Sequence, residues 1–293
     1  MKHLLKMMDL STEEIIEILN LADQLKYELK HGIPHDHLKG KTLGMIFRKA
    51  STRTRVSFET GMYQLGGNPL YLSASDMQIG RGEPIQDTAR VLSRYIDGIM
   101  IRTFDQAEVE NLAEYGNIPI INGLTDLSHP CQVLADLMTI REYKGKLDGL
   151  KMCYIGDGNN MANSLIVGGL KTGMSVSVAC PENYHPAATT LAFAKKYDCF
   201  ELTDDPIKAA KDADVIFTDV WASMGQEGEA EIRKKAFKGF QINDEVMAVA
   251  KPDAWYSTAC PHTEKKKLQP RYSKNTQTKS LTRLKTDSTH RRQ

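Results

Sequence analysis

The densest set of groups able to do chemistry is Ser51-Thr52-Arg53-Thr54-Arg55, where three short hydroxyls and two guanidiniums follow an apolar run and open a helical pattern. Unpaired backbone N–H groups and a positive dipole end make a helix N-terminus a phosphate site. Arg53 adds a planar fork that matches phosphate oxygens. A plainer reading of the same residues is an N-cap followed by a solvated basic turn. His129-Pro130-Cys131-Gln132 repeats the arrangement after a loop rich in Asn122, Thr125, Asp126 and Ser128. His129 and Gln132 can each hydrogen-bond a carbonyl or an amide on a small ligand, although a lone His at a helix start is often structural. Arg102 follows the apolar run Gly98 to Ile101, at the carboxyl end of a strand, where parallel sheets bind ligands; alone it could equally be a surface ion pair.

A second set lies further on. Gly156-Asp157-Gly158-Asn159-Asn160 looks like a dinucleotide loop, but Met161 stands where the third glycine belongs, which argues against a nicotinamide dehydrogenase. Asp219-Val220-Trp221-Ala222-Ser223-Met224-Gly225 closes another apolar run, and its Asp and Ser can hold the ammonium and carboxylate of an amino acid. A polar surface loop is the alternative.

The elements that position these residues follow from periodicity. Ser11-Thr12-Glu13-Glu14 reads as a capping box ahead of Ile15, Ile16, Ile18, Leu19 and Leu25. Strands are expected at Thr42–Phe47, Pro69–Leu72, Gly98–Ile101 and Ile118–Ile121, with helices at Arg53–Leu65, Asp87–Tyr95, Gln106–Tyr115 and Pro130–Tyr143. The alternation restarts with strands at Lys151–Ile155, Val176–Ala179 and Val215–Thr218, and helices at Asn160–Lys171 and around Ala187–Lys196. Such alternation predicts an α/β protein of two domains, each a parallel β-sheet flanked by helices. We place the boundary near Gly145 to Gly149, giving domains 1–147 and 148–255 and a separate tail, 256–293.

Composition narrows the class. The 293 residues are 41% hydrophobic and 26% charged, as in a soluble globular protein. There is no apolar run of about 18 residues and no cleavage-site pattern after Met1–Leu10, so a cytoplasmic protein without membrane partners is expected. Five cysteines, none in C-x-x-C spacing, argue against a disulfide framework or a zinc site.

Together the motifs go beyond their separate readings. Ser-Thr-Arg-Thr-Arg, Gln78-Ile79-Gly80-Arg81-Gly82-Glu83, Arg102-Thr103, His-Pro-Cys-Gln, Gly-Asp-Gly-Asn-Asn and Asp-x-x-x-Ser-Met-Gly occur in order. From residue 1 to about Trp255 the chain resembles the aspartate/ornithine carbamoyltransferase family, on its ornithine side. The resemblance implies that Ser51, Thr52, Arg53 and Thr54 hold the phosphate of carbamoyl phosphate. It implies that Arg102, His129 and Gln132 are catalytic and orient the carbamoyl group beside Pro130 and Cys131. Gln78 would reach a neighbouring subunit's site in a trimer-based homo-oligomer. Asn160, Asp219, Ser223 and Met224 would bind L-ornithine, in a reaction of arginine metabolism that needs no metal or redox cofactor. Aspartate and putrescine are the rival acceptors. The Asp219–Met224 loop favours ornithine, since an amino acid with a cationic chain and a free ammonium needs those partners, while putrescine has no carboxylate for Asn160 and the Met224 backbone.

The last segment departs from the family. Of the 38 Lys and Arg, ten lie from Tyr256 onward against two of the 37 acidic residues, leaving a body of net −7 and a tail of +8. Lys251-Pro252-Asp253-Ala254 matches, but the His-Cys-Leu-Pro expected soon after it is missing, and Cys260 is out of place for that motif. Codons for Tyr256 to Pro270 read from their third base permit Phe-His-Cys-Leu-Pro-Ala-His-Arg-Glu-Glu-Glu-Val-Thr-Ala, the missing segment. We expect the tail to be translated out of frame, disordered by composition, and to leave the enzyme impaired. A carbamoyl-phosphate-binding protein whose basic tail holds nucleic acid is the non-enzymatic alternative; the motif match favours no nucleic-acid role.

Overall fold

The computed structural model describes residues 2–221 and 227–258. The chain divides into two compact units, Met1–Glu142 with Asn163–Thr172, and Tyr143–Ala162 with Gly173–Gln293. Each has its own sheet.

In the first unit, α1 (Thr12–His31) starts with the capping box: Glu14 N donates to the Ser11 hydroxyl and Ser11 N donates to the Glu14 carboxylate. Gly32, at φ 65, ends it in the left-handed conformation that a residue without Cβ adopts at least cost. β1 (Thr42–Phe47), α2 (Thr52–Gln64), β2 (Asn68–Ser73), α3 (Ile85–Leu92), β3 (Gly98–Arg102), α4 (Gln106–Tyr115), β4 (Ile120–Leu124) and α5 (Pro130–Lys144) follow. The four strands are all parallel in the order β2-β1-β3-β4. Side chains alternate across the sheet. Ile46, Ile99 and Ile101 pack with Ala89, Val109 and Leu112 of α3 and α4 on one face. Leu43, Met45, Phe47 and Met100 pack with Met62 and Phe58 of α2 on the other. The N-terminal segment joins the β4 edge, Leu4 bridging to Ile121.

The second unit carries β5 (Lys151–Ile155), the start of α6 (Asn160–Lys171), β6 (Ser175–Ala179), α7 (Ala188–Ala194), β7 (Phe200–Thr203), α8 (Pro206–Ala210), β8 (Val215–Thr218), α9 (Ala230–Ala236), α10 (Asp244–Val249) and β9 (Trp255–Thr258). Its sheet is also parallel, in the order β7-β6-β5-β8-β9. Cys153, Ile155, Ile216, Phe237, Ile242 and Val246 are core residues there.

The two-sheet α/β architecture is the one expected. Thr42–Phe47, Gln106–Tyr115, Lys151–Ile155, Asn160–Lys171 and Val215–Thr218 fall where periodicity put them. β4 starts two residues later than the apolar run suggests and runs on to Leu124; the N-terminal segment pairs along it, Leu4 N donating to the Ile120 carbonyl and Asn122 N to the Leu4 carbonyl, both at 2.8 Å. β9 is a larger difference: Tyr256 and Ser257, assigned by composition to the tail, pair in register with Ile216 and Phe217. Parallel pairing is made by main-chain groups and tolerates many side chains. The tail from residue 259 onward, with Cys260, lies outside the described residues. Among the described residues no helix is long and apolar enough to cross a membrane.

Candidate active site

Parallel sheets bind ligands outside the carboxyl ends of their strands where the strand order reverses. In the first unit that point lies between β1 and β3, since the chain runs from β1 out to β2 and returns to β3 on the other side. The Ser51 motif follows β1 and Arg102 ends β3. Ser51 is the N-cap of α2: its hydroxyl accepts from Thr54 N at 3.2 Å and donates to the Thr54 hydroxyl at 3.0 Å. Thr52 and Arg53 are exposed in the first turn.

Arg102 belongs to β3 itself. The register with β4 shifts at this residue, Ile101 facing Asn122 and Arg102 facing Leu124. The skipped Gly123 has Met100 Sδ 2.6 Å from where a Cβ would sit, so the irregularity needs a glycine. Arg102 is 7% exposed, its Nη1 lies 3.5 Å from the Thr54 hydroxyl, and its Nε is buried without a hydrogen-bond partner. Burial, with Arg53 nearby, lowers its pKa to about 10, so it stays cationic at neutral pH. Arg48 N and Lys49 N both donate to its carbonyl, at 2.9 and 3.3 Å.

His129 arrives from the β4 side. Ser164 Oγ accepts from His129 N at 2.9 Å, and Thr125 closes the preceding turn by accepting from Ser128 N. Burial, reinforced by Arg102, lowers the His129 pKa to about 3, so the ring is neutral; its Nδ1 is buried and unpartnered. Pro130 opens α5 and is buried. The Cys131 thiol donates to the Asn122 carbonyl at 3.3 Å, and burial pushes its pKa up to about 12, so it is no nucleophile. Gln132 Nε2 donates to Asp136 at 3.1 Å. Thus Thr54, Arg53, Arg102 and His129 are linked by a contact or by electrostatic reach, and Gln132 stands one helical turn beyond them. Gln78 is exposed on the 3-10 turn Gln78–Arg81; no contact among the described residues links it to this cluster.

In the second unit the strand order reverses between β5 and β8. Gly156–Asn160 follows β5 and Asp219 follows β8. Asn159 Nδ2 donates to Asp219 Oδ2 at 3.0 Å, and its carbonyl oxygen accepts from Met161 N at 3.0 Å. Asn160 and Asp219 are both buried. A Cβ on Gly158 would sit 2.2 Å from Pro186 N, so the loop's second glycine is there for close backbone approach. Ser223 and Met224 lie outside the described residues.

Two residues at these sites were not singled out in the sequence. Arg233 of α9 donates through Nη1 to Asp157 at 2.7 Å and to the Trp221 carbonyl at 2.9 Å, and through Nε to Glu229 at 3.0 Å. Burial pushes Asp157 up to about 6 despite that partner, while Arg233 is raised by its two carboxylates despite its own desolvation. Lys49, 5% exposed, pairs with Asp126 and lies 4.2 Å from the Phe104 ring centroid, tying the loop after β1 to the loop before His129. Lys49 sits two residues before the Ser51 motif, in a basic stretch where a single Lys has no distinguishing local signal. Arg233 carried no local signal.

The carbamoyl-P binding domain of aspartate/ornithine carbamoyltransferase matches residues 2–142, and the Asp/Orn binding domain matches residues 148–265. The chain belongs to the aspartate/ornithine carbamoyltransferase family. Within it, the chain is 55% identical over 265 residues to an ornithine carbamoyltransferase of Thermococcus kodakarensis, covering 89% of this chain and 84% of that one. The ornithine carbamoyltransferase structure from Pyrococcus furiosus superposes with a TM-score of 0.87 at 52% identity, covering 92% of this chain and 88% of that one. The anabolic ornithine carbamoyltransferase of Campylobacter jejuni gives 0.88 at 40% identity, covering 94% and 91%. Both carbamoyltransferase domains are therefore present as matched sequence, and each has a motif set at its own sheet's reversal point.

Proposed function

We propose that this chain is an ornithine carbamoyltransferase, moving the carbamoyl group of carbamoyl phosphate to the side-chain amine of L-ornithine to give L-citrulline and phosphate. The observation that carries this is the Arg102 cluster: a buried cation with an unpartnered Nε, beside a neutral His129 and the capped N-terminus of α2. Such a cluster suits a dianionic phosphate joined to a polarised carbonyl. Ser51, Thr52, Arg53 and Thr54 take the phosphate, whose departure as an anion the helix N-terminus favours. Arg102 and His129 donate to the carbamoyl oxygen as charge develops on it, while Gln132 orients the amide and Pro130 and Cys131 line it. Asn160, Asp219, Ser223 and Met224 hold the amino-acid end of ornithine, leaving its neutral side-chain amine to attack. Alignment of two bound reactants supplies much of the acceleration.

The reading includes a homo-oligomer based on trimers, in which exposed Gln78 reaches a neighbour's site, and a cytoplasmic setting. Light scattering on the purified chain tests the assembly; a strict monomer counts against it. Turnover with ornithine, aspartate and putrescine side by side tests the acceptor. Ornithine is expected to dominate, and a preference for aspartate overturns the assignment.

A further inference from the structure

The helix α5 holds a carboxylate that the reaction as drawn does not use. Asp136 stands four residues after Gln132, one turn along the same helix, and is 9% exposed. Gln132 Nε2 donates to Asp136 Oδ1 at 3.1 Å. The Gln132 NH2 thus faces the Asp136 carboxyl oxygen, which leaves Oε1, a pure acceptor, on the far side of the amide. The polar groups at the β1–β3 reversal are rich in donors: the Arg102 guanidinium, the Thr54 hydroxyl and the amides of the α2 N-terminus.

We infer that Asp136 is a specificity-determining positioning residue: by fixing Gln132 with its carbonyl oxygen outward, it selects a donor that carries an N–H beside its carbonyl, a carbamoyl rather than an acetyl phosphate. This rests on the proposed function. A site with one fixed acceptor rejects an analogue lacking the matching donor, because the acceptor is then left unpaired. If the amide were free to turn, its NH2 would accommodate a methyl neighbour no worse than an amine, and the discrimination would fade.

The test uses stable probes on the full chain. Phosphonoacetamide carries the amide and acetonylphosphonate carries a methyl in its place; inorganic phosphate lacks both. Calorimetry on the unaltered protein is expected to give roughly tenfold tighter binding of the amide than of the methyl ketone, the scale of one hydrogen bond in a formed site. Asp136→Asn keeps the shape but presents either a donor or an acceptor, so the ratio should fall towards one while phosphate binding stays within about twofold. In a Gln132→Ala background the same substitution should change the ratio no further. Asp136→Ser, equally ambivalent, gives the same reading should the Asn variant fail to fold. An unchanged ratio in these variants, or equal weakening of all three probes, overturns the inference. Failure of the unaltered protein to prefer phosphonoacetamide over inorganic phosphate overturns the proposed function instead.

Discussion

Arg102, the proposed catalytic cation, is held in a costly state. A guanidinium that is nearly inaccessible, with an unpartnered Nε and Arg53 nearby, is destabilising until an anion arrives. Arg102→Met should therefore raise the melting temperature slightly while lowering kcat/KM for citrulline formation by roughly 10²- to 10³-fold, the usual loss for one donor to a developing oxyanion. Thermal melts and steady-state rates on the same preparation check both halves. A second consequence concerns acid. His129 has a folded pKa of about 3 against an ordinary 6.5, so between those values the unfolded chain binds the extra proton. Its contribution to stability is complete above pH 6.5 and is lost as the pH falls towards 3. His129→Gln should flatten the fall in melting temperature between pH 6 and pH 4, and a slope identical to that of the unaltered protein would show that the ring is not buried neutral.

At the scale of elements, α9 acts as a clasp. Arg233 holds the Trp221 carbonyl before residues 222–226 and Glu229 after them, and fixes both to Asp157 in the loop after β5. If Ser223 and Met224 hold ornithine, Arg233→Met should raise the KM for ornithine about tenfold and leave that for carbamoyl phosphate near its starting value; equal effects on both would mean general unfolding. Arg233→Lys should not rescue, because one ammonium cannot replace a fork that meets three oxygens. This clasp also marks what the sequence could and could not tell. β1, β5 and β8 are readable because short, mostly apolar runs ended by charged residues or Gly have few other uses in an α/β chain. The Ser51 and His129 motifs were readable because local geometry, a cap and a Pro at the first helical turn, puts the functional groups at a helix start. Arg233 was not, since its partners are 4, 12 and 76 residues away and α9 is too short for a clear amphipathic pattern. Phe200–Thr203 was missed as a strand because it is an edge strand, half-buried along its length.

For the molecule as a whole, the two matched domains and the last segment pull apart. The Asp/Orn binding domain matches as far as residue 265, and β9 pairs in register through Thr258. Yet the body carries −7 and the residues from Tyr256 onward +8, and only a shifted reading of their codons gives the family's His-Cys-Leu-Pro. The main chain of a parallel edge strand tolerates that change of side chains; the His-Cys-Leu-Pro that the family resemblance expects there is lost with it. The chain with residues 256–293 replaced by the shifted reading is expected to turn over ornithine at least tenfold faster than the unaltered chain. The gain should lie mostly in kcat, because the Arg102 cluster and the Asn159–Asp219 contact are built from residues that both versions share. Carbamoyl phosphate should bind the two versions alike, by calorimetry with phosphonoacetamide. Equal citrulline rates in the two would mean that the unaltered tail already does what the family's terminal segment does, and the out-of-frame reading would have no functional content.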